Sequence, residues 1–137
     1  MDNTLFLEVV TPERVVVSQE VDTVIVPGSE GEFGVLPGHV LFLSGVIPGE
    51  LRFSSGTKEE SIAVTNGFAE VSNNKVSILV DAAEKAAEID LERAKKALER
   101  AKKRLESYTG PDDVEFMMAE AALQRAIARI KVAQKNI

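Results

Sequence analysis

Near Asp81 the texture of the chain changes completely, and that discontinuity limits the folds open to it. Before it, short segments of alternating polarity are broken repeatedly by Gly, Pro and Asn; after it, Ala, Lys, Glu and Arg dominate, the composition of helices. The order predicts an N-terminal antiparallel β-sandwich over residues 1–82, followed by a C-terminal two-helix antiparallel hairpin over residues 83–137. A chain of 137 residues with 45% hydrophobic content can bury one compact core and dock one small second element on it.

The first part reads as strands. Leu5, Leu7 and Val9 alternate with Phe6, Glu8 and Val10; Val21, Thr23 and Ile25 follow with Asp22 between them; Val76, Ile78 and Val80 alternate with Ser77 and Leu79. Breaks are expected at Pro27-Gly28, Pro37-Gly38, Pro48-Gly49, Gly56 and Asn66-Gly67, and Asn73-Asn74 suits a tight hairpin turn. In the second part Leu91, Ala94, Leu98, Ala101 and Leu105 step by three and four, marking one narrow apolar stripe. A second stripe, Phe116, Leu123, Ile127 and Ile130, follows a break at Thr109, Gly110 and Pro111, where Asp112 or Asp113 can cap the new helix. These stripes are Ala-rich, and a fully buried Leu or Ile contributes only about 1.5 to 3 kcal/mol, so a hairpin docked by a handful of them is held modestly. Such an arm can detach and dock elsewhere, and a ligand at ~100 times its dissociation constant biases that balance by about 2.7 kcal/mol.

Composition excludes several functions. There is no Cys and one His, which removes disulfide scaffolds, thiol catalysis and Cys-ligated zinc and makes a reducing compartment the expectation. Nothing at the N-terminus reads as a secretory signal, and no apolar run approaches the roughly 20 residues that cross a bilayer as a helix, so membrane association is expected only through partners. Residues 1–82 hold 4 Lys/Arg against 12 Asp/Glu, while residues 83–137 hold 12 against 10. An acidic front half speaks against nucleic acid there; the basic back half suits an acidic partner. A stand-alone module whose basic hairpin contacts nucleic acid is the rival reading, weakened because aromatics are 5% of residues and none interleaves with the basic block. An independent enzyme fares worse, since no nucleophile beside a base and no P-loop can be read.

The segment Gly28-Ser29-Glu30-Gly31-Glu32-Phe33-Gly34-Val35-Leu36-Pro37-Gly38-His39 resembles the signature of epsilon subunits of F-type ATP synthases, and the likeness extends to Leu7-Glu8-Val9-Val10-Thr11-Pro12, to Asn66-Gly67-Phe68-Ala69-Glu70-Val71 and to the helical tail. The resemblance implies a non-catalytic central-stalk subunit on the cytoplasmic face of the inner membrane, coupling the gamma shaft to the proton-carrying c-ring. By position it places Glu30, Glu32 and His39 against the ring loops; on chemistry alone the same stretch is a Gly-rich surface loop with solvated carboxylates.

In the helical half, Ile89-Asp90-Leu91-Glu92-Arg93-Ala94 matches the motif of ATP-binding epsilon subunits, and Glu84, Arg100, Arg125 and Arg129 fall at matching positions. The resemblance implies a regulatory ATP, with no catalytic cofactor; guanidinium groups fork onto phosphate oxygens, and a carboxylate accepts from an amino or hydroxyl donor. Spacing alone leaves a plainer alternative open: Asp90 a helix cap, Arg93 its local partner, Arg125 and Arg129 a solvated basic face. Arg93, Lys95, Lys96, Arg100, Lys102, Lys103 and Arg104 put seven cations on one helix. The family likeness implies that this helix, once the hairpin opens, meets the alpha/beta catalytic head and restrains ATP hydrolysis; the plain alternative is again a solvated face.

Overall fold

The computed structural model describes residues 4–38, 41–107 and 114–135. Its strands are β1 (Leu5–Val10), β2 (Val15–Val21), β3 (Thr23–Gly28), β4 (Gly31–Val35), β5 (Phe42–Val46), β6 (Gly49–Ser55), β7 (Lys58–Val64), β8 (Gly67–Ser72), β9 (Lys75–Val80) and β10 (Ala83–Lys85). One 3-10 turn, Ala86–Glu88, leads to helices α1 (Leu91–Glu106) and α2 (Val114–Lys135). A β-sandwich followed by two helices is the order that the change of texture at Asp81 predicts.

The alternation of Leu5, Leu7 and Val9, and of Val76, Ile78 and Val80, puts all six side chains into the core. The strands run β10-β7-β6-β3-β5-β8-β9-β1-β2, with β4 paired to β3. Among the described residues all pairings are antiparallel except β1 with β9, which brings the two ends of the sandwich chain side by side. Because Leu5, Val24, Leu51, Ile62, Val71 and Ile78 belong to one buried cluster, the sheet folds over on itself around a single core.

Asn73 and Asn74 both adopt positive φ, 50° and 58°, and close the β8–β9 hairpin in two residues, as their identity predicts. Two readings are corrected. Val21, Thr23 and Ile25 do not share the core face: the chain bends at Asp22 between β2 and β3, the phase shifts, and Val24 and Val26 are buried instead. Pro27-Gly28 is no break but the end of β3, opposite Glu32 and Gly31. On its other side β6 pairs only as far as Ile25 and β5 only at Gly28, so the missing N–H of Pro27 faces a gap in the ladder.

The sheet continues past residue 82. Strand β10 pairs with β7, Ala83 opposite Val64 and Lys85 opposite Ile62. Beyond it Arg14, from the β1–β2 connection, clasps Glu88 at 2.9 Å and donates to the Ala83 carbonyl at 3.4 Å. The Arg14 guanidinium, aided by the Lys85 N–H, holds the Glu88 carboxyl below the usual carboxylate range, and Glu88 in turn raises Arg14.

Helices α1 and α2 pack on each other, and α2 lies over β6 and β7. The large stripe residues Leu91, Leu98, Leu105, Leu123, Ile127 and Ile130 are only half-buried; the buried residues are Ala94 and Ala101 of the α1 stripe, and Ala119, Ala126, Ala128, Val132 and Ala133 on α2. Ala94 with Ala101, and Ala119 with Ala126 and Ala133, recur every seven residues, a spacing that keeps small buried side chains on one face of each helix. The break at Thr109, Gly110 and Pro111, with Asp112 and Asp113, lies outside the described residues. Among the described residues no helix is long and apolar enough to cross a membrane.

Candidate nucleotide cleft and hairpin seam

Helix α2 buries a second face, outside the stripe of Phe116, Leu123, Ile127 and Ile130. Ala128 and Val132, four residues apart, meet Ala63 of β7 in a small cluster of their own, with Ala86 and Ile89 packed against it. Nothing larger than valine is fully buried there, so the apolar docking of the hairpin rests on few methyl groups. Ion pairs flank the cluster. Arg129 pairs with Glu84 of β10: Nη2 donates to Oε2 at 3.3 Å, and Nε lies 2.8 Å from Oε1 without a hydrogen bond, while Lys135 Nζ meets Glu50 of β6 at 2.6 Å.

Beside this seam lies a cleft of about 240 Å³. Its walls are Ala63, Val64 and Thr65 of β7 and the turn after it, Ala82 and Glu84 before and on β10, Ala97 on α1, and Ala122, Arg125, Ala126 and Arg129 on α2. The opening exists because the facing positions on the helices are alanines. Its volume is below the roughly 300–1,000 Å³ of usual small-molecule sites, so a nucleotide would lie partly outside it, over the helix surfaces.

The structure brings part of the expected set together. Glu84, Arg125 and Arg129 line one cleft. Arg93 and Arg100 are exposed on α1, four residues before and three after the cleft-lining Ala97, and so on its side of the helix. The other three have structural employment. Asp90 is the N-cap of α1, accepting from the Arg93 N–H at 3.2 Å; Ile89 packs on the Ala128–Val132 cluster; Ala94 is buried. Thr65, Ala97 and Ala122 were not foreseen, since each contributes by being small or by its place beside β10, and no motif marks either property.

The ring-facing candidates stand apart from this cleft. Glu30 is exposed at the β3–β4 turn; Glu32, also exposed, is held by Arg52 of β6 at 2.9 Å. Gly28 beside them has no room for a Cβ, which would meet the Phe33 ring and the Gly31 carbonyl at 2.8 Å. His39 lies outside the described residues.

A wrapped β-sandwich followed by a long helical hairpin is the architecture of one known class. The family model for the beta-sandwich domain of the ATP synthase delta/epsilon chain matches residues 4–86, and that for its long alpha-helix domain matches residues 87–134. The ATP synthase epsilon chain of Syntrophobacter fumaroxidans is 53% identical over 136 residues, covering 99% of this chain and 100% of that one; that of Nitratidesulfovibrio vulgaris is 48% identical over 132 residues, covering 96% and 97%. A chain in the Euglena gracilis mitochondrial ATP synthase assembly of OSCP, F1 and c-ring superposes with a TM-score of 0.81 at 28% identity, covering 98% of this chain and 83% of that one. A chain from the central stalk and c-ring of the Tetrahymena thermophila mitochondrial enzyme shares the fold, with a TM-score of 0.53 at 12% identity over 96% of this chain and 95% of its own length. The chain therefore belongs to the ATP synthase epsilon chain family, whose members are subunits of that synthase and not its catalytic part.

Proposed function

We propose that this chain is a rotor subunit of an F-type ATP synthase that joins the gamma shaft to the membrane c-ring through its sandwich. Its hairpin binds ATP when docked and inhibits ATP hydrolysis when it extends toward the alpha/beta head. The chain sits peripherally on the cytoplasmic face of the inner membrane, held there by the complex, and nucleic acid plays no part. Support for coupling comes from the family and from the exposed β3–β4 turn carrying Glu30 and Glu32. Support for regulation comes from one observation: Glu84, Arg125 and Arg129 converge on a cleft walled by the sandwich and both helices.

A ligand in that cleft touches β7, β10, α1 and α2 together, so its binding free energy accrues only to the docked posture. Phosphate oxygens suit the two α2 guanidinium groups, with Arg93 and Arg100 one turn away on either side of Ala97. Glu84 offers a carboxylate to an amino or hydroxyl donor. Bound ATP therefore holds the hairpin down, and its loss releases the cationic face of α1 toward an acidic surface.

The test is calorimetric titration of the chain with ATP, repeated for Arg125→Ala and Arg129→Ala. Saturable binding weakened tenfold or more in each variant is expected, since each removes a charge-assisted contact of about 1.5–3 kcal/mol. No binding, or binding of equal strength in all three proteins, would remove the cleft as the nucleotide site.

A further inference from the structure

Ion pairs run in series from the β3–β4 hairpin to the last turn of α2. Arg52 Nη2 donates to Glu32 Oε1 at 2.9 Å. The same guanidinium faces Glu50, two residues earlier on β6, with Nε 3.9 Å from Oε1. The other oxygen of Glu50 meets Lys135 Nζ at 2.6 Å. Arg52 and Glu50 are thus each shared between two partners. Side-chain exposure falls along the series from 54% at Glu32 through 30% at Arg52 to 11% at Glu50. Glu50 is the least hydrated member and depends most on which cation stands beside it.

Sharing makes the pairs compete. While Glu32 holds Arg52 at 2.9 Å, Arg52 stands 3.9 Å from Glu50, and Lys135 is the close partner of that carboxylate. If Glu32 is drawn to another cation, Arg52 can close on Glu50, and the attraction between Glu50 and Lys135 weakens. Lys135 ends α2 and lies three residues from Val132, an anchor of the docking cluster, so weakening occurs where the hairpin is held.

We propose that Glu32, Arg52, Glu50 and Lys135 form an electrostatic relay, through which a basic loop engaging Glu32 loosens the end of α2 from β6. Who engages Glu32 rests on the reading of that residue as partner-facing; the relay itself belongs to the isolated chain. It links the end of the sandwich that meets a partner to the posture of the hairpin. The effect is small by construction, since an exposed pair such as Arg52–Glu32 contributes little, and it acts on a docking contact that is itself weak.

Native-state hydrogen exchange of amides 128–135, in the full chain without nucleotide or other subunits, tests it in four proteins: the parent, Glu32→Ala, Lys135→Gln and the double variant. Glu32→Ala is expected to speed exchange about two- to fivefold when Lys135 is present and to do nothing further once Lys135 is Gln. Arg52→Gln, which removes the middle of the series, is likewise expected to silence Glu32→Ala. The same fold-change in both backgrounds, no change in either, or equal speeding of the β9 amides overturns the relay. Because neither ATP nor the ring is present, failure of the nucleotide or coupling reading leaves this result standing, and the reverse holds too.

Discussion

Replacing Val132 with Ala should free the hairpin while leaving the sandwich intact. Val132 is 1% exposed, and its cluster with Ala63 and Ala128 is separate from the sandwich core. The substitution deletes two methyl groups, about 0.8 kcal/mol each by transfer, and the cavity left behind adds to that, for a loss of roughly 1.6–2.5 kcal/mol. Each 1.4 kcal/mol is a factor of ten, so the detached fraction should rise about 10- to 60-fold. Hydrogen exchange reads this directly: amides of α2 should accelerate by that factor while those of β1 and β9, strands of the main core, keep their protection. Equal acceleration in β1, β9 and α2 would show that sandwich and hairpin open as one unit. An acceleration below about threefold in α2 would show that the hairpin is held elsewhere. Either result refutes the argument that a few methyl groups set the docking balance.

Three further outcomes follow from local geometry. Glu88 titrates below its ordinary value of 4.5 because the folded chain favours the carboxylate, so its contribution is complete above that value and is lost as pH falls through the lower folded one. Urea denaturation of the parent and of Glu88→Gln should therefore converge on acidification, and a gap that persists to the lowest pH would contradict the clasp with Arg14. Gly67→Ala should cost upwards of ~2 kcal/mol in the same assay, because the new Cβ would meet the Leu79 carbonyl and the Val80 backbone on β9, neither of which can step aside; a loss under about 0.5 kcal/mol would contradict that packing. Asp90→Ala should remove about 1 kcal/mol and fray the first turn of α1, seen as faster exchange there, while Asp90→Asn preserves the cap; equal behaviour of the two variants would show that the cap carries little.

How far the sequence reveals the structure depends on whether the signal is local. Leu5, Leu7 and Val9 declare a half-buried strand because period-two alternation is geometry, and Asn73-Asn74 declares a turn because few residues tolerate two successive positive φ angles. At Asp22 the same logic fails: alternation carries across a bend only if the bend preserves phase, and this one does not. Pro27 misleads for another reason. Its missing N–H is harmless where β5 and β6 leave a gap in the ladder, and nothing nearby in the chain announces that gap.

In the hairpin, Ala94 and Ala101 of the expected α1 stripe are buried, whereas on α2 the stripe of large residues stays half-buried and Ala119, Ala126 and Ala133 are buried instead. The sevenfold spacing of Ala119, Ala126 and Ala133 was the available signal, but alanine is also the commonest helix filler. The cleft was legible only in part. Arg125 and Arg129 announce a shared face by their spacing, whereas their meeting with Glu84 depends on β10 pairing with β7 and on α2 crossing that edge. Such tertiary placement has no local signature.

The account turns on a hairpin that leaves the sandwich to act. Since the chain has no Cys, replacing Ala63 and Ala128 with Cys introduces one pair across the seam without competing thiols. Assembled with its synthase partners, the oxidised protein, its hairpin pinned, should leave ATP hydrolysis uninhibited, and reduction should restore inhibition in the same sample. Inhibition of equal strength before and after reduction would contradict the central claim.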